Sequence, residues 1–268
     1  MDTCALVRTV HTARMDMDYV IFGEGRKSLV ILPGISVKPI TLSAAVLRDG
    51  FQRFTEEYTV YIFDRRTGLA DGCTVESMTD DTADAMTALG ISGAYVFGAS
   101  QGGMMALCIA ADHPKLVGKA VIASSSPANN ARSEAVFSSW AAAVRKKDAE
   151  KLDRLFLKDV YSPATAALLA GLPKTDEDRA GEEELRRFGI LLDACRDFDV
   201  TGRLHKIRCP LLAVGSEKDA VFGAEGTRLI AEKTGGECFL YEGFSHAVYD
   251  EAPDFRDRMK KFFGKETP

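Results

Sequence analysis

The hexapeptide Gly98-Ala99-Ser100-Gln101-Gly102-Gly103 follows the strand-like run 94–97 and precedes the apolar run 104–110. This order predicts a sharp turn between a β-strand and an α-helix. A serine at such a turn adopts strained backbone angles, so the residues two before it and two or three after it must be very small. Glycine occupies all three of those positions. The stretch therefore has the features of a nucleophile elbow, which presents the hydroxyl of Ser100.

A second interpretation of the same stretch is a glycine-rich turn in an ordinary α/β protein. The chain contains 23 glycines in 268 residues, so a bare G-x-S-x-G pattern is not specific by itself. The two interpretations differ in what they require elsewhere. Only the elbow needs an acid and a histidine farther along the chain.

Composition limits the class of protein. A chain of 268 residues that is 46% hydrophobic and 27% charged can form one large α/β domain, with or without an insertion. The formal net charge of −5 argues against a nucleic-acid partner, and the basic run Arg145-Lys146-Lys147 is too short to form a basic field. We therefore expect a small-molecule substrate. The sequence does not predict an oligomeric state.

Cofactor and metal sites are not predicted. The six cysteines form no C-x-x-C pair and only four histidines accompany them, which argues against zinc. No G-x-G-x-x-G opens the first helix, which argues against a dinucleotide. The start Met1-Asp2-Thr3-Cys4 lacks the features of a secretory signal, and no apolar run is long enough to span a membrane. We expect a cytoplasmic protein with reduced thiols that does not bind membranes.

Short apolar runs alternate with helical periods, which predicts a mostly parallel sheet covered by helices on both faces. The predicted strands, eight in number, are 5–12, 18–22, 28–32, 59–63, 94–97, 119–123, 210–214 and 237–241. The predicted helices between and after them are 40–58, 77–89, 101–113, 224–234 and 252–263.

The alternation stops after the sixth predicted strand. About eighty residues follow before the next strand, more than a single crossover needs. We expect residues 128–205 to form a helical cap on a core domain made of 1–127 and 206–268. Within it, Ser162-Pro163 is typical of a helix start, Gly171-Leu172-Pro173 of a helix end, and Thr175-Asp176-Glu177-Asp178 of a capping box that starts the last cap helix.

Candidates for the missing acid and base follow the last two strands. Asp219 lies in the turn after the run 211–214, and His246 lies in the loop after the run 237–241. The order serine, acid, histidine is the one that accompanies a nucleophile elbow. Glu217, in the same turn as Asp219, is the alternative acid.

These motifs together resemble the α/β-hydrolase superfamily over essentially the whole chain. The resemblance rests on the elbow, Leu32-Pro33-Gly34-Ile35, the turn from Gly215 to Asp219, and Gly243-Phe244-Ser245-His246. Two departures are visible. Many relatives have His-Gly where this chain has Pro33-Gly34, and the acid lies four residues after Gly215 where three is more common.

The resemblance implies a triad in which His246 accepts the proton of Ser100 and Asp219 orients the imidazole. It also implies an oxyanion hole formed by the backbone N–H groups of Ile35 and Gln101. The side chain of Gln101 is not expected to take part.

Two further groups of residues are open to more than one interpretation. Asp64-Arg65-Arg66 could bind an anionic substrate, but we favour a structural ion pair and leave it out of the site. Apolar cap residues could line a substrate pocket or pack the cap helices together. They are Phe137, Trp140, Phe156, Tyr161 and Phe188.

The leading hypothesis is a cofactor-free serine esterase that forms an acyl-enzyme on Ser100 and acts on a small to medium, largely apolar ester. The same triad also supports hydrolysis of carbon–carbon, thioester or amide bonds in relatives, so the fold does not define the bond. The alternative from another class is a ligand sensor that keeps the pocket and turns over slowly or not at all.

Overall fold

The computed structural model describes residues 5–173, 175 and 179–266. In this part of the chain the predicted strands are all present, with shifts at their ends, and they join in one sheet. The strands are β1 (Leu6–His11), β2 (Asp16–Phe22), β3 (Lys27–Leu32), β4 (Tyr58–Arg66), β5 (Ala94–Ala99), β6 (Val117–Ala123), β7 (Leu211–Ser216) and β8 (Glu237–Tyr241).

The sheet has the order β1-β2-β4-β3-β5-β6-β7-β8. The pairs β1–β2 and β2–β4 are antiparallel, and all later pairs are parallel. The parallel strands therefore end at one edge of the sheet, and the loops that carry Ser100, Asp219 and His246 all leave the sheet at that edge.

Both faces of the sheet are buried. Along β3, Val30 and Leu32 belong to one apolar cluster, whereas Leu29 and Ile31 belong to the other. This alternation follows from the two-residue period of a strand and explains why the central strands read as continuous apolar runs.

Helices cover both faces. In chain order, the helices of the described residues are α1 (Ala44–Phe51), α2 (Val75–Ala88), α3 (Gln101–Asp112), α4 (Ala131–Arg145), α5 (Ala149–Val160), α6 (Pro163–Ala170), α7 (Glu182–Arg196), α8 (Gly223–Thr234), α9 (Val248–Glu251) and α10 (Phe255–Gly264). Buried residues of α2, α3 and α8 pack in one cluster, and those of α1 and α10 pack in the other. No helix within the described ranges combines the length and apolar character needed to cross a membrane.

Two helix predictions are wrong in their extent. The predicted helix 40–58 is only α1 between two 3-10 turns, and Tyr58 begins β4 by pairing with Lys27 of β3. The predicted helix 252–263 corresponds to α10, which begins only at Phe255, and the short α9 before it ends at Glu251. Ala252 is extended because it precedes Pro253, whose ring disfavours helical angles in the residue before it.

Helices α4 to α7 lie between β6 and β7 in the chain, and residues 128–205 are called the helical insertion below. Its two ends meet, since Asn129 N donates to Phe198 O at 3.1 Å and Val200 N donates to Pro127 O at 2.8 Å. The division of the protein into a core and a cap stays a prediction.

The predicted boundaries inside the insertion have different outcomes. Helix α6 begins at Pro163 with Ser162 at its N-cap and ends at Ala170 with Gly171 as its C-cap, as predicted. Helix α7 begins at Glu182, later than the capping box at 175–178 suggested. Residues 176–178 lie outside the described ranges.

The first turn of α3 lies against the end of β3. A Cβ atom built on Gly102 would stand 1.9 Å from Leu32 O and 2.6 Å from Pro33 O, both of them backbone atoms that cannot move aside. A Cβ on Gly98 would stand 2.4 Å from Gly102 O. Glycine at these two positions therefore permits the close contact between β3, β5 and α3.

We predict that Gly102→Ala lowers the free energy of unfolding by about 1–3 kcal/mol or more, because the added methyl group overlaps the backbone of β3. Urea denaturation followed by circular dichroism measures this. Gly202→Ala is the control, since a Cβ there meets nothing within 4 Å. Equal denaturation midpoints for the two variants would contradict the packing argument.

Candidate active site

Ser100 occupies the turn between β5 and α3 with φ 54° and ψ −120°. L-residues rarely adopt a positive φ, and such angles persist only where the surroundings impose them. Two hydrogen bonds from outside the turn help to hold it: Ser100 N donates to Ala123 O at 2.9 Å, and Ser125 Oγ donates to Ser100 O at 2.8 Å. The strained turn predicted from the glycine pattern is therefore present.

His246 lies in the segment between β8 and α9 and is buried. Its Nε2 is 3.0 Å from Ser100 Oγ, and its Nδ1 is 3.0 Å from each carboxylate oxygen of Asp219. The next residue is anchored to the insertion, because Ala247 N donates to Val160 O at 2.8 Å. The structure thus brings together three side chains that are far apart in the sequence.

Asp219 is buried at the carboxyl end of β7, and its orientation is set by backbone donors. Val221 N and Phe222 N donate to Asp219 Oδ1 at 2.8 and 3.1 Å. Glu217, the alternative acid, instead forms an ion pair with Arg228 at the surface. Of the two carboxylates, only Asp219 contacts the imidazole.

The loop after β3 lies directly beside the serine. A Cβ on Gly34 would stand 3.1 Å from Ser100 Cβ, so a side chain there would crowd the hydroxyl. Ile35, the next residue, lines the cavity next to Ser100. Gln101 is the first residue of α3, and its backbone N–H has no acceptor within the helix.

The side chains of Arg65 and Gln101 form a buried link that the sequence analysis missed. Arg65 Nη2 donates to Pro33 O at 2.8 Å and to Gln101 Oε1 at 2.9 Å. Gln101 Nε2 donates to Leu191 O at 2.6 Å and to Cys195 Sγ at 3.1 Å, both on α7. The link joins the loop after β3, the elbow and the insertion.

Burial has a defined effect on Arg65. It lowers the pKa of the guanidinium to about 10, with Asp64 acting in the opposite direction, so Arg65 keeps its charge at neutral pH. Asp64 accepts a hydrogen bond from Ile40 N at 2.9 Å and pairs with Arg187 of α7. The structural interpretation of this run agrees with these contacts, although its partner on α7 could not be read from the sequence.

A cavity of about 20 Å³ adjoins Ser100 and His246. We call it the catalytic chamber. The predicted residues Phe137, Trp140 and Phe156 line it. Phe188 lies behind them, with its ring centroid 6.1 Å from those of Trp140 and Phe156. Tyr161 is not among the lining residues, and its burial raises its pKa to about 12. The remaining lining residues are Gly34, Ile35, Val160, Cys195, Val221 and Tyr249.

The sequence analysis did not identify Val160, Cys195, Val221 or Tyr249 as lining residues. Each is an ordinary apolar or weakly polar residue near a helix end or in a loop, without a local motif. Within the described ranges, no group of three or more histidine, cysteine and carboxylate side chains is arranged to hold a metal ion.

Comparisons with known proteins agree with this architecture. A family model described as the alpha/beta hydrolase fold matches residues 32–253. A protein of Caulobacter sp. (strain K31) named carbamate hydrolase RutD is 28% identical over 200 residues, which cover 68% of this chain and 71% of that protein.

Two solved structures share the fold. An alpha/beta hydrolase enzyme from a Medee basin deep-sea metagenome library has a TM-score of 0.86 and 20% identity, covering 97% of this chain and 98% of its own. The enol-lactonase from Burkholderia xenovorans LB400 has a TM-score of 0.81 and 17% identity, covering 96% of this chain and 100% of its own. The predicted fold class is thereby confirmed.

We predict that Asp219→Asn slows the labelling of Ser100 by a fluorophosphonate about 10²- to 10⁴-fold, because the imidazole loses the group that orients it as a base. Mass spectrometry of the labelled protein over time measures the rate. Glu217→Gln serves as the control and should label at the wild-type rate. Slow labelling of Glu217→Gln with normal labelling of Asp219→Asn would reverse the assignment.

Proposed function

Since this chain belongs to the α/β-hydrolase family, we propose that it is a serine hydrolase that cleaves a small to medium, largely apolar carboxylic ester through an acyl-enzyme on Ser100. The observation that carries the proposal is the continuous contact from Ser100 Oγ to His246 Nε2 and from His246 Nδ1 to Asp219, in a buried setting. No cofactor is part of the proposed reaction.

The proposed reaction begins with proton transfer. His246 Nε2 accepts the hydroxyl proton of Ser100 while Oγ attacks the substrate carbonyl, and Asp219 stabilises the imidazolium that forms. The N–H groups of Ile35 and Gln101 are proposed to donate to the developing oxyanion. Losing one such donor typically raises the barrier by about 3 kcal/mol.

The same groups complete acylation and then carry out deacylation. The tetrahedral intermediate collapses, His246 returns the proton to the departing alkoxide, and an acyl group remains on Ser100 Oγ. Water then attacks the acyl carbon with His246 as base, which releases the carboxylic acid and regenerates the hydroxyl of Ser100.

The walls of the catalytic chamber support an apolar substrate. Phe137, Trp140, Phe156, Val160 and Val221 present hydrocarbon surface around the serine. A charged group placed there would lose its hydration without a paired partner, which is costly. An uncharged group next to the carbonyl suits this environment.

A carbamate is the second candidate substrate, favoured by the similarity to the protein named carbamate hydrolase RutD. A carbamate presents the same carbonyl to Ser100 and differs in the nitrogen next to it. Comparison of an ester and a carbamate of one alcohol distinguishes the two. Higher kcat/KM for the carbamate would favour the second candidate.

We predict that wild-type protein mixed with p-nitrophenyl butyrate releases a stoichiometric burst of nitrophenolate. Ser100→Ala should release none, because the variant lacks the Oγ atom to which the butyryl group would be transferred. Stopped-flow absorbance measures the burst. Ser138→Ala is the matched control, since Ser138 is an exposed serine on α4.

A burst retained by Ser100→Ala would exclude Ser100 as the nucleophile. A folded wild-type protein that neither reacts with a fluorophosphonate nor turns over any ester or carbamate would favour the ligand sensor. Rapid labelling together with turnover would favour the enzyme.

A further inference from the structure

The helical insertion contains a second cavity that is much larger than the catalytic chamber. Its volume is about 700 Å³, and it is lined by α5, α6, the loop after β3 and the segment of Arg179 and Ala180. This volume falls within the range of about 300–1,000 Å³ that is typical of small-molecule sites. We call it the outer cavity.

The two cavities share one lining residue. Phe156 lines both the catalytic chamber and the outer cavity. Its ring lies between the aromatic residues of the insertion, 5.2 Å from Trp140 and 6.1 Å from Phe188 between centroids. Phe156 is therefore in contact both with the chamber beside the serine and with the larger space.

The loop after β3 connects the same two cavities along the chain. Gly34 and Ile35 line the catalytic chamber, and Val37 and Lys38 line the outer cavity. If the substrate carbonyl lies beside Ile35, the wall of the outer cavity begins at Val37, two residues farther along the same loop.

The size of the catalytic chamber makes the outer cavity relevant to the substrate. A volume of about 20 Å³ accommodates roughly one water molecule, which is less than an ester group requires. Rotation of the Phe156 side chain would join the two volumes. The part of the substrate that does not react then has space in the outer cavity.

The chemistry of the outer cavity favours an uncharged chain. Leu152, Leu157 and Ala166 contribute apolar surface to its wall. The charged residues at this cavity include both signs, and several of them are paired: Glu150 lies 3.9 Å from Arg154 and 3.7 Å from Arg179, and Lys38 lies 4.0 Å from Glu184. Such paired charges do not select a charged ligand.

We propose that Phe156 is a steric gate and that the outer cavity binds the extended, uncharged apolar chain of the substrate distal to the scissile bond. This inference rests on the proposed function, because the chain is that of an ester attacked by Ser100. It makes chain length the property that the insertion recognises.

The test fills the outer cavity without altering the catalytic chamber. Ala166→Trp places an indole in the outer cavity from α6, whereas Ala167→Trp places the same group on the exposed side of that helix, away from the cavity. Both variants are assayed with p-nitrophenyl acetate and octanoate, and by pH-stat with ethyl and octyl acetate. The two series vary the acyl chain and the alcohol chain separately.

We expect Ala166→Trp to lower kcat/KM for the long member of at least one series by about tenfold or more. The value for the short member of that series should change little. Ala167→Trp should leave the chain-length profile as in the wild type. An equal loss for short and long substrates, or no loss for either, would overturn the proposal.

Phe156→Ala tests the gate directly, and Phe156→Leu does so with a smaller loss of packing volume. Both should raise the ratio of kcat/KM for long over short chains relative to the wild type. An unchanged ratio in folded variants would overturn the gate. Failure of the proposed function is a different result, since Ser100→Ala would then keep its activity whatever the chain length.

Discussion

The close contact between the backbones of β3 and α3 is the constraint on which the rest of the site depends. It exists because glycine occupies positions 98 and 102, where a methyl group would overlap backbone atoms. The contact leaves room for the sharp turn at Ser100 and places the loop after β3 beside that turn. A helix N-terminus, a serine hydroxyl and the loop of Gly34 and Ile35 thereby meet at one point.

The insertion is hydrogen-bonded to this point on two sides. Gln101 of the elbow donates to α7, and the segment of His246 is bonded to the end of α5 through Ala247 and Val160. Glu251 of α9 also accepts hydrogen bonds from Ser162 N and Oγ at the start of α6, at 3.2 and 2.6 Å. A displacement of these insertion segments would therefore act on the serine and the histidine directly.

Most of the fold could be predicted because local patterns and tertiary structure agree. Strands buried on both faces need continuous apolar runs, and those runs are visible without coordinates. The prediction failed where a distant partner decides the state. Tyr58 has a side chain that fits either element, and its pairing with Lys27 places it in β4. The later start of α10 was a missed local signal, since Pro253 is visible in the chain.

The sequence by itself determined the strained serine turn, the order of the strands along the chain and the histidine after β8 that contacts Ser100. These depend on glycine positions and on strand ends, which are local properties. Only the tertiary structure decided which carboxylate faces His246, that Arg65 and Gln101 join the elbow to α7, and that Phe156 lines two cavities. Those features arise from contacts between residues far apart in the chain, and a single sequence carries no record of such distances.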